Sequence, residues 1–202
     1  MPPAQAGVDV LVVPGVPALL PEHAGLVDPV ADLRRAVRSA VPGLVGEPPQ
    51  PVTVLASPPT PAEVRRSAGP AVGLRVARHL LAEAGATDAT AVEGEVPADA
   101  GRLLVVANGS ATRTEKAPGH LDERAEGFDA AAGAALASAD AQALAGLDLD
   151  LAAALWADVA PLAALGRHLA AVAATGRTWT AQVLHDAAPY GVQYWVVRLR
   201  AA

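Results

Sequence analysis

The chain reads as an α/β domain of three layers, a central mixed sheet flanked by helices and ending in two adjacent strands. Three observations predict this. Apolar runs at Val8–Val13, Pro51–Ala56 and Arg102–Ala107 have the length and β-branched content of buried strands. Between and after them lie segments with apolar residues at helical spacing. Finally, Thr178–His185 and Val192–Leu199 alternate in strand fashion around DAAPYG, as a hairpin or a tight loop between neighbouring strands does. The order βαβαβ, several helices, then ββ is that of a mixed sheet covered on both faces.

Each element has its own signal. After the first strand comes a Pro-Gly loop. Leu26–Val41 carries Val30, Leu33, Val37 and Val41 on one helical stripe, and Pro42 and Gly43 are expected to close it. The second strand runs into SPPTP, a rigid loop. Val72, Val76 and Leu80, with Ala77 and Leu81, form a second helix ending near Gly85. A loop rich in Ala, Thr and acidic residues leads to the third strand. Further on, Phe128–Ala137 is helical, Ala141–Ala145 is a short turn of helix, and Asp148 is placed to cap Leu149–Ala157. Pro161 suits a helix N-terminus; Leu162, Leu165, Leu169 and Val172 then share a face until Gly176. Residues 1–202 read as a single domain, since Pro48–Pro51 and Pro58–Pro61 are too short to link two.

Composition narrows the function classes. Of the 202 residues 52% are hydrophobic but only 3% aromatic, so Ala, Val and Leu must build the core. A net charge of −6 and a pI near 5.3 leave no electrostatic footprint for nucleic acid or an anionic membrane. The absence of cysteine excludes disulfides, thiolate metal sites and a cysteine nucleophile. MPPAQAGVDVLVVPG lacks a basic leader region and is broken by Asp9 and Pro14, so it reads as a strand and not a signal peptide. No run of 18 apolar residues is free of Gly, Pro or charge. A soluble, cytoplasmic protein is the expectation.

The densest polar chemistry lies between Leu103 and Asp129, LLVVANGSATRTEKAPGHLDERAEGFD. An apolar strand entering Asn108-Gly109-Ser110 delivers polar groups to the carboxyl end of a central strand, where α/β domains bind ligands. GxGxxG, P-loop, GxSxG and HExxH patterns are all missing. Ser110, His185 and Asp186 make a triad only on paper, because adjacent strand residues point to opposite faces.

GSATRTEKAPGHLDERAEGFD, then LASADAQALAGLD and the terminal LHDAAPYGVQYWV, resemble the subunit-B-like family of class III extradiol ring-cleavage dioxygenases, in particular its small, Ala-rich actinobacterial members. The likeness is close over the second half of the chain and extends to the first half in layout. It implies a mixed sheet flanked by helices. In active members it also implies ferrous iron held by two His and a Glu, with open positions for a catechol and O2, and a further His as acid/base. Measured against that pattern, Gly15 in Pro14-Gly15-Val16-Pro17 replaces the first His, and the loop Ser57-Pro58-Pro59-Thr60 lacks the second. Ser110-Ala111 stands where members carry Ser-His, and Asn108 where an Asp is common.

The remaining candidates are weighed residue by residue. Glu115 and Lys116 either meet a ligand, with one carboxylate oxygen available to a metal, or pin the loop by ion pairs. Arg113 either binds a carboxylate or phosphate bidentately or pairs with Asp122 or Glu123. Asn108 and Ser110 are binding candidates whose plainer role is to cap the turn. His120 and His185, at positions where relatives carry Tyr, read as structural or substrate-facing. Asp186 and Tyr190 either pack against the polar segment or form a hairpin polar cluster in which backbone satisfies the Tyr190 hydroxyl. His23, Glu115 and His185 are the weak metal candidates; His79 and His168, each beside an Arg in a helix, are packing residues.

No cofactor is assigned, and Fe(II) enters only if the family activity is kept. The leading expectation is a non-catalytic member retaining a cleft for a small aromatic ligand or for subunit interaction, as a homo-oligomer or partner subunit. In that setting Val192–Leu199 serves either as an interior strand or as an edge for dimerisation. The alternative is a metal-dependent oxidoreductase that opens an aromatic diol. It requires groups such as His23, Glu115 and His120 or His185 to converge within about 2.0–2.2 Å of one metal.

Overall fold

Side-chain alternation along the first strand, β1 (Val8–Val13), divides the interior in two: Val8, Val10 and Val12 face one core, Leu11 and Val13 the other. In the computed structural model, which describes residues 7–23, 28–59, 70–86 and 88–202, this strand is central to a six-stranded mixed sheet. The chain continues through α1 (Ala31–Val45), β2 (Val52–Leu55), α2 (Val72–Glu83), β3 (Ala89–Val92) and β4 (Arg102–Val106). Four helices follow, α3 (Arg124–Ser138), α4 (Ala141–Ala145), α5 (Leu149–Ala154) and α6 (Ala160–Ala173), then β5 (Trp179–Ala187) and β6 (Tyr194–Ala201).

The strand order is β3-β2-β4-β1-β6-β5. The first four run parallel; β6 is antiparallel to β1, and β5 to β6. Helices α1 and α2 cover one face with Leu33, Val37, Val41, Val76 and Leu81, while α3 to α6 cover the other with Phe128, Leu136, Leu144, Leu162 and Leu165. The α/β, three-layer expectation is met, including the two adjacent strands at the end. Strand β6 lies between β1 and β5, which settles Val192–Leu199 as interior. On the α1 face Arg198 grips Asp9 of β1 through Nε at 2.9 Å and Nη2 at 2.5 Å, a bidentate pair that fixes the antiparallel neighbour.

Several element bounds differ from the sequence expectation. Helix α1 does not close at Pro42 and Gly43 but runs to Val45, with Pro42 inside it. A proline there costs about 3 kcal/mol. Leu44 and Val45, both fully buried, together contribute about 3–6 kcal/mol, so burial outweighs the lost hydrogen bond. Leu26 and Val27 of the expected helix, and Thr60 and Pro61 of the SPPTP loop, lie outside the described residues. Strand β3 was expected as loop: four largely exposed residues beside β2 carry little apolar signal. Helix α5 ends at Ala154, three residues early, before Trp156 enters the left-handed region at φ 57°. Among the described residues no helix is long and apolar enough to cross a membrane.

Caps behave as their chemistry dictates. Asp140 and Asp148 accept the Ala143 and Leu151 N–H groups, each at 2.9 Å, at the starts of α4 and α5. Helix α6 packs on α4 so closely that a Cβ on Gly166 would stand 2.4 Å from Ala145 N and 2.7 Å from Ala141 O. Gly166→Ala gains about 1 kcal/mol of helix propensity. It also collides with backbone that cannot rotate away, at about 1–3 kcal/mol. The expected net result in urea unfolding is a lower midpoint; a raised midpoint would show that α4 is free to move.

Candidate functional site

Strand β1 leads to α1 on one face of the sheet, and β4 leads to α3 on the other. The switch point of the sheet therefore lies between these two strands, and its crevice at their carboxyl ends is the expected ligand position. Here the crevice is stitched shut. Gly15, just after β1, donates its N–H to Asn108 Oδ1 at 3.0 Å, just after β4. A Cβ at Gly15 would lie 2.6 Å from Val106 Cγ1 and 2.9 Å from Gly73 Cα at the start of α2, so no side chain fits. Asn108 also exchanges both backbone hydrogen bonds with Asp158, at 2.9 and 3.0 Å, and Ser57 Oγ donates to Asp158 Oδ1 at 2.5 Å. Three strand ends are thus tied to one another and to the approach to α6.

The residues present do not fit a ferrous ion at this position. Where the resemblance places the first histidine, backbone packs on backbone. The weak metal candidates stand apart. His23 is exposed in the 3-10 turn Pro21–His23, beside a hollow lined by Asp28, Arg34 and His79. Glu115 is exposed on the loop after β4. His185 lies in the groove between α1 and β5. Among the described residues no group of three or more His, Asp and Glu gathers in a way that could hold a metal.

The polar segment is organised instead by Asp129, which sequence reasoning passed over. This α3 carboxylate is buried and accepts from Ser110 N at 2.8 Å and Ser110 Oγ at 2.6 Å. Arg113 reaches Asp129 Oδ2 at 3.4 Å, Gln193 Oε1 at 3.3 Å and Glu126 Oε1 at 3.5 Å. Gln193 in turn donates to Asp186 Oδ1 at 2.7 Å. One polar chain therefore joins the β4 loop, α3, β5 and the entrance to β6. It borders a cleft of about 380 Å³ between α3 and the β5–β6 hairpin, lined by Arg113, Glu126, Asp129, Gly133, Asp186 and Gln193 among others.

Of the predicted site residues, the structure brings Ser110, Arg113 and Asp186 together. Asn108 sits one step away, at the closed switch point. Arg113 does not pair with Asp122 or Glu123: Asp122 belongs to Arg124, at 2.7 Å, whose guanidinium pulls its carboxyl down to about 2. Glu115 and Lys116 are exposed; among the described residues they make no ion pair that would pin the loop, and they do not line the cleft. His120 is exposed at φ 59°. Tyr190 is 70% exposed at φ 56°, and among the described residues its hydroxyl has no backbone partner.

What fixes the TEKAPG loop is contact with the PYG turn. Arg113 N donates to Gly191 O at 3.1 Å, and a Cβ on Gly191 would meet Thr114 Oγ1 at 2.6 Å and Ala117 Cβ at 2.7 Å. With φ at 76°, only glycine serves there. The missed members of the network carried faint signals. Asp129 closes the polar motif three residues after Glu126, and Gln193 is the one polar residue of VQYWVV.

No protein-family model matches the chain, and no curated protein matches it at a significant level.

Burial pushes the Asp129 carboxyl up despite its hydrogen bonds to Ser110 and Arg113, and pushes His168 down. An acid raised in the fold stabilises it below its ordinary value, 3.8, and loses that contribution as pH rises through the folded value. His168 acts oppositely, costing stability as pH falls below 6.5. Asp129→Asn isolates the first effect. The stability of the native chain minus that of Asp129→Asn should fall as pH rises from 3.8, measured by urea unfolding across the acid range; a flat or rising difference would contradict the burial argument.

Proposed function

We propose that the protein is a non-catalytic binding member of the class III extradiol dioxygenase subunit-B-like fold, and that its ligand sits in the cleft between α3 and the β5–β6 hairpin. The observation that carries this reading is the Gly15–Asn108 hydrogen bond. It ties the switch-point crevice shut, and the adjoining Asp129–Arg113–Gln193–Asp186 chain forms a polar wall of the cleft beside it. A cleft of about 380 Å³ lies in the range that accepts a single small organic molecule.

The lining chemistry favours a ligand with paired hydroxyl donors. Asp186 and Glu126 present carboxylate oxygens, Arg113 offers a guanidinium edge, and Ala130, Gly133 and Ala134 supply a small-residue floor for a flat ring. A small aromatic diol meets these demands without needing a metal.

Anaerobic titration with Fe(II), and thermal unfolding with a panel of catechols and benzoates, test the reading together. A catechol-type compound is expected to raise the midpoint, the rise is expected to vanish in Asp186→Ala, and neither stoichiometric iron nor O2 uptake should appear. Tight Fe(II) binding with ring opening would replace this reading by the metal-dependent oxidoreductase. No midpoint shift with any compound of the panel would remove the aromatic ligand from it.

A further inference from the structure

We propose that the protein self-associates through the free edge of β5, two copies pairing antiparallel about a two-fold axis at Ala181 to continue one sheet across both chains. Strand β5 is the last in the sheet, and among the described residues no strand lies beyond it. Thr178 and Ala202 exchange both backbone hydrogen bonds, at 3.0 and 3.2 Å. By the alternation of an antiparallel ladder, Thr180 and Gln182 also bond inward to β6, while Trp179, Ala181 and Val183 aim their N–H and C=O groups outward. These three positions are symmetric about Ala181. A second copy therefore matches them completely: Ala181 opposes itself, and Trp179 opposes the second copy's Val183.

Side chains and charge agree with that partner. Trp179 and Ala181 pack on the α3–α6 core, so Val183 lies on the same face. It is nevertheless 45% exposed, and in the pair it is covered by the second copy's Trp179. From Thr178 to Leu184 there is no charge and no proline, the devices by which natural edges refuse pairing. The other edge, β3, is only four residues long and is flanked by Asp88, Glu93 and Glu95. The groove between α1 and β5 carries both signs, Asp32 beside Arg35 and Arg200, and a two-fold axis can set opposite charges against each other.

Outward-facing Ala181 gives a clean test, because its N–H takes no part in the β5–β6 ladder. In sedimentation of the full chain the native protein is expected to run as a dimer at micromolar concentration. Ala181→Pro and Val183→Lys should each shift it to monomer with unchanged circular dichroism. The chain has no cysteine, and directly opposed residues of this type stand about 5.5 Å apart at Cα, within disulfide reach. Ala181→Cys should accordingly cross-link to itself on mild oxidation, whereas Thr90→Cys on the opposite edge should not. A native monomer at every concentration, a dimer unaffected by both edge substitutions, or a failure of Ala181→Cys to cross-link would each overturn the proposal. None of these readouts depends on what the cleft binds.

Discussion

A single buried carboxylate sets the carboxyl end of this sheet. Asp129 is withdrawn from water on α3, and a buried charge is tolerated only where donors replace its hydration. Ser110 supplies two, from its backbone N–H and its hydroxyl, and Arg113 approaches from the side. Meeting that demand fixes where the chain can go after β4. Ser110 must stop beneath α3, Arg113 must turn back toward β6, and Gln193 must stand between Arg113 and Asp186. Neutralising the carboxylate is favoured by burial and opposed by those donors, and burial is the larger influence.

The same end of the sheet shows how a position built for ligands can be given over to packing. In an open α/β sheet the switch point stays empty because loops leave it on opposite faces. Here Gly15 and Gly73 let the β1 loop and α2 meet backbone to backbone, and Asn108 spans the residual gap. Ser57 and Asp158 complete the tie from the neighbouring strand. A side chain larger than hydrogen at residue 15 would reopen the crevice by force, so the closure is written into two glycines and one amide. Displaced from there, the accessible polar surface lies one layer over, against α3.

How much of this was legible in the sequence depended on the range of the interaction. Strands β1, β2 and β4 declared themselves by short, predominantly apolar runs, because both faces of a parallel strand are buried. The stripe Leu162, Leu165, Leu169, Val172 and the Asp148 cap were local and were read correctly. Strand β3 was missed because an exposed edge of four residues has no hydrophobic period, and the end of α1 because Pro42 signals locally while Leu44 and Val45 answer to the core. At the site, Ser110, Arg113 and Asp186 stood out by residue type. Asp129 and Gln193 did not, since their meaning rests on contacts 19 and 80 residues away. Glu115 and Lys116 drew attention as an adjacent pair of charges, yet that loop is held by its backbone against Gly191, and both side chains are left in solvent.

Strand β5 does two jobs because it changes register partway along. Up to Val183 its residues alternate regularly opposite β6; at Leu184 a bulge inserts one residue. Gln182, Leu184 and His185 consequently all border the α1 groove, while Asp186 is returned to the α3 side and its carboxylate to Gln193. Without the bulge, His185 would occupy the cleft wall and Asp186 the groove. The unbulged half keeps an uncharged edge, and a bulge of this kind bends a strand and increases its local twist. One continuous strand therefore carries both the outward-facing backbone of Ala181 and, past the bulge, the carboxylate of Asp186 that accepts from Gln193.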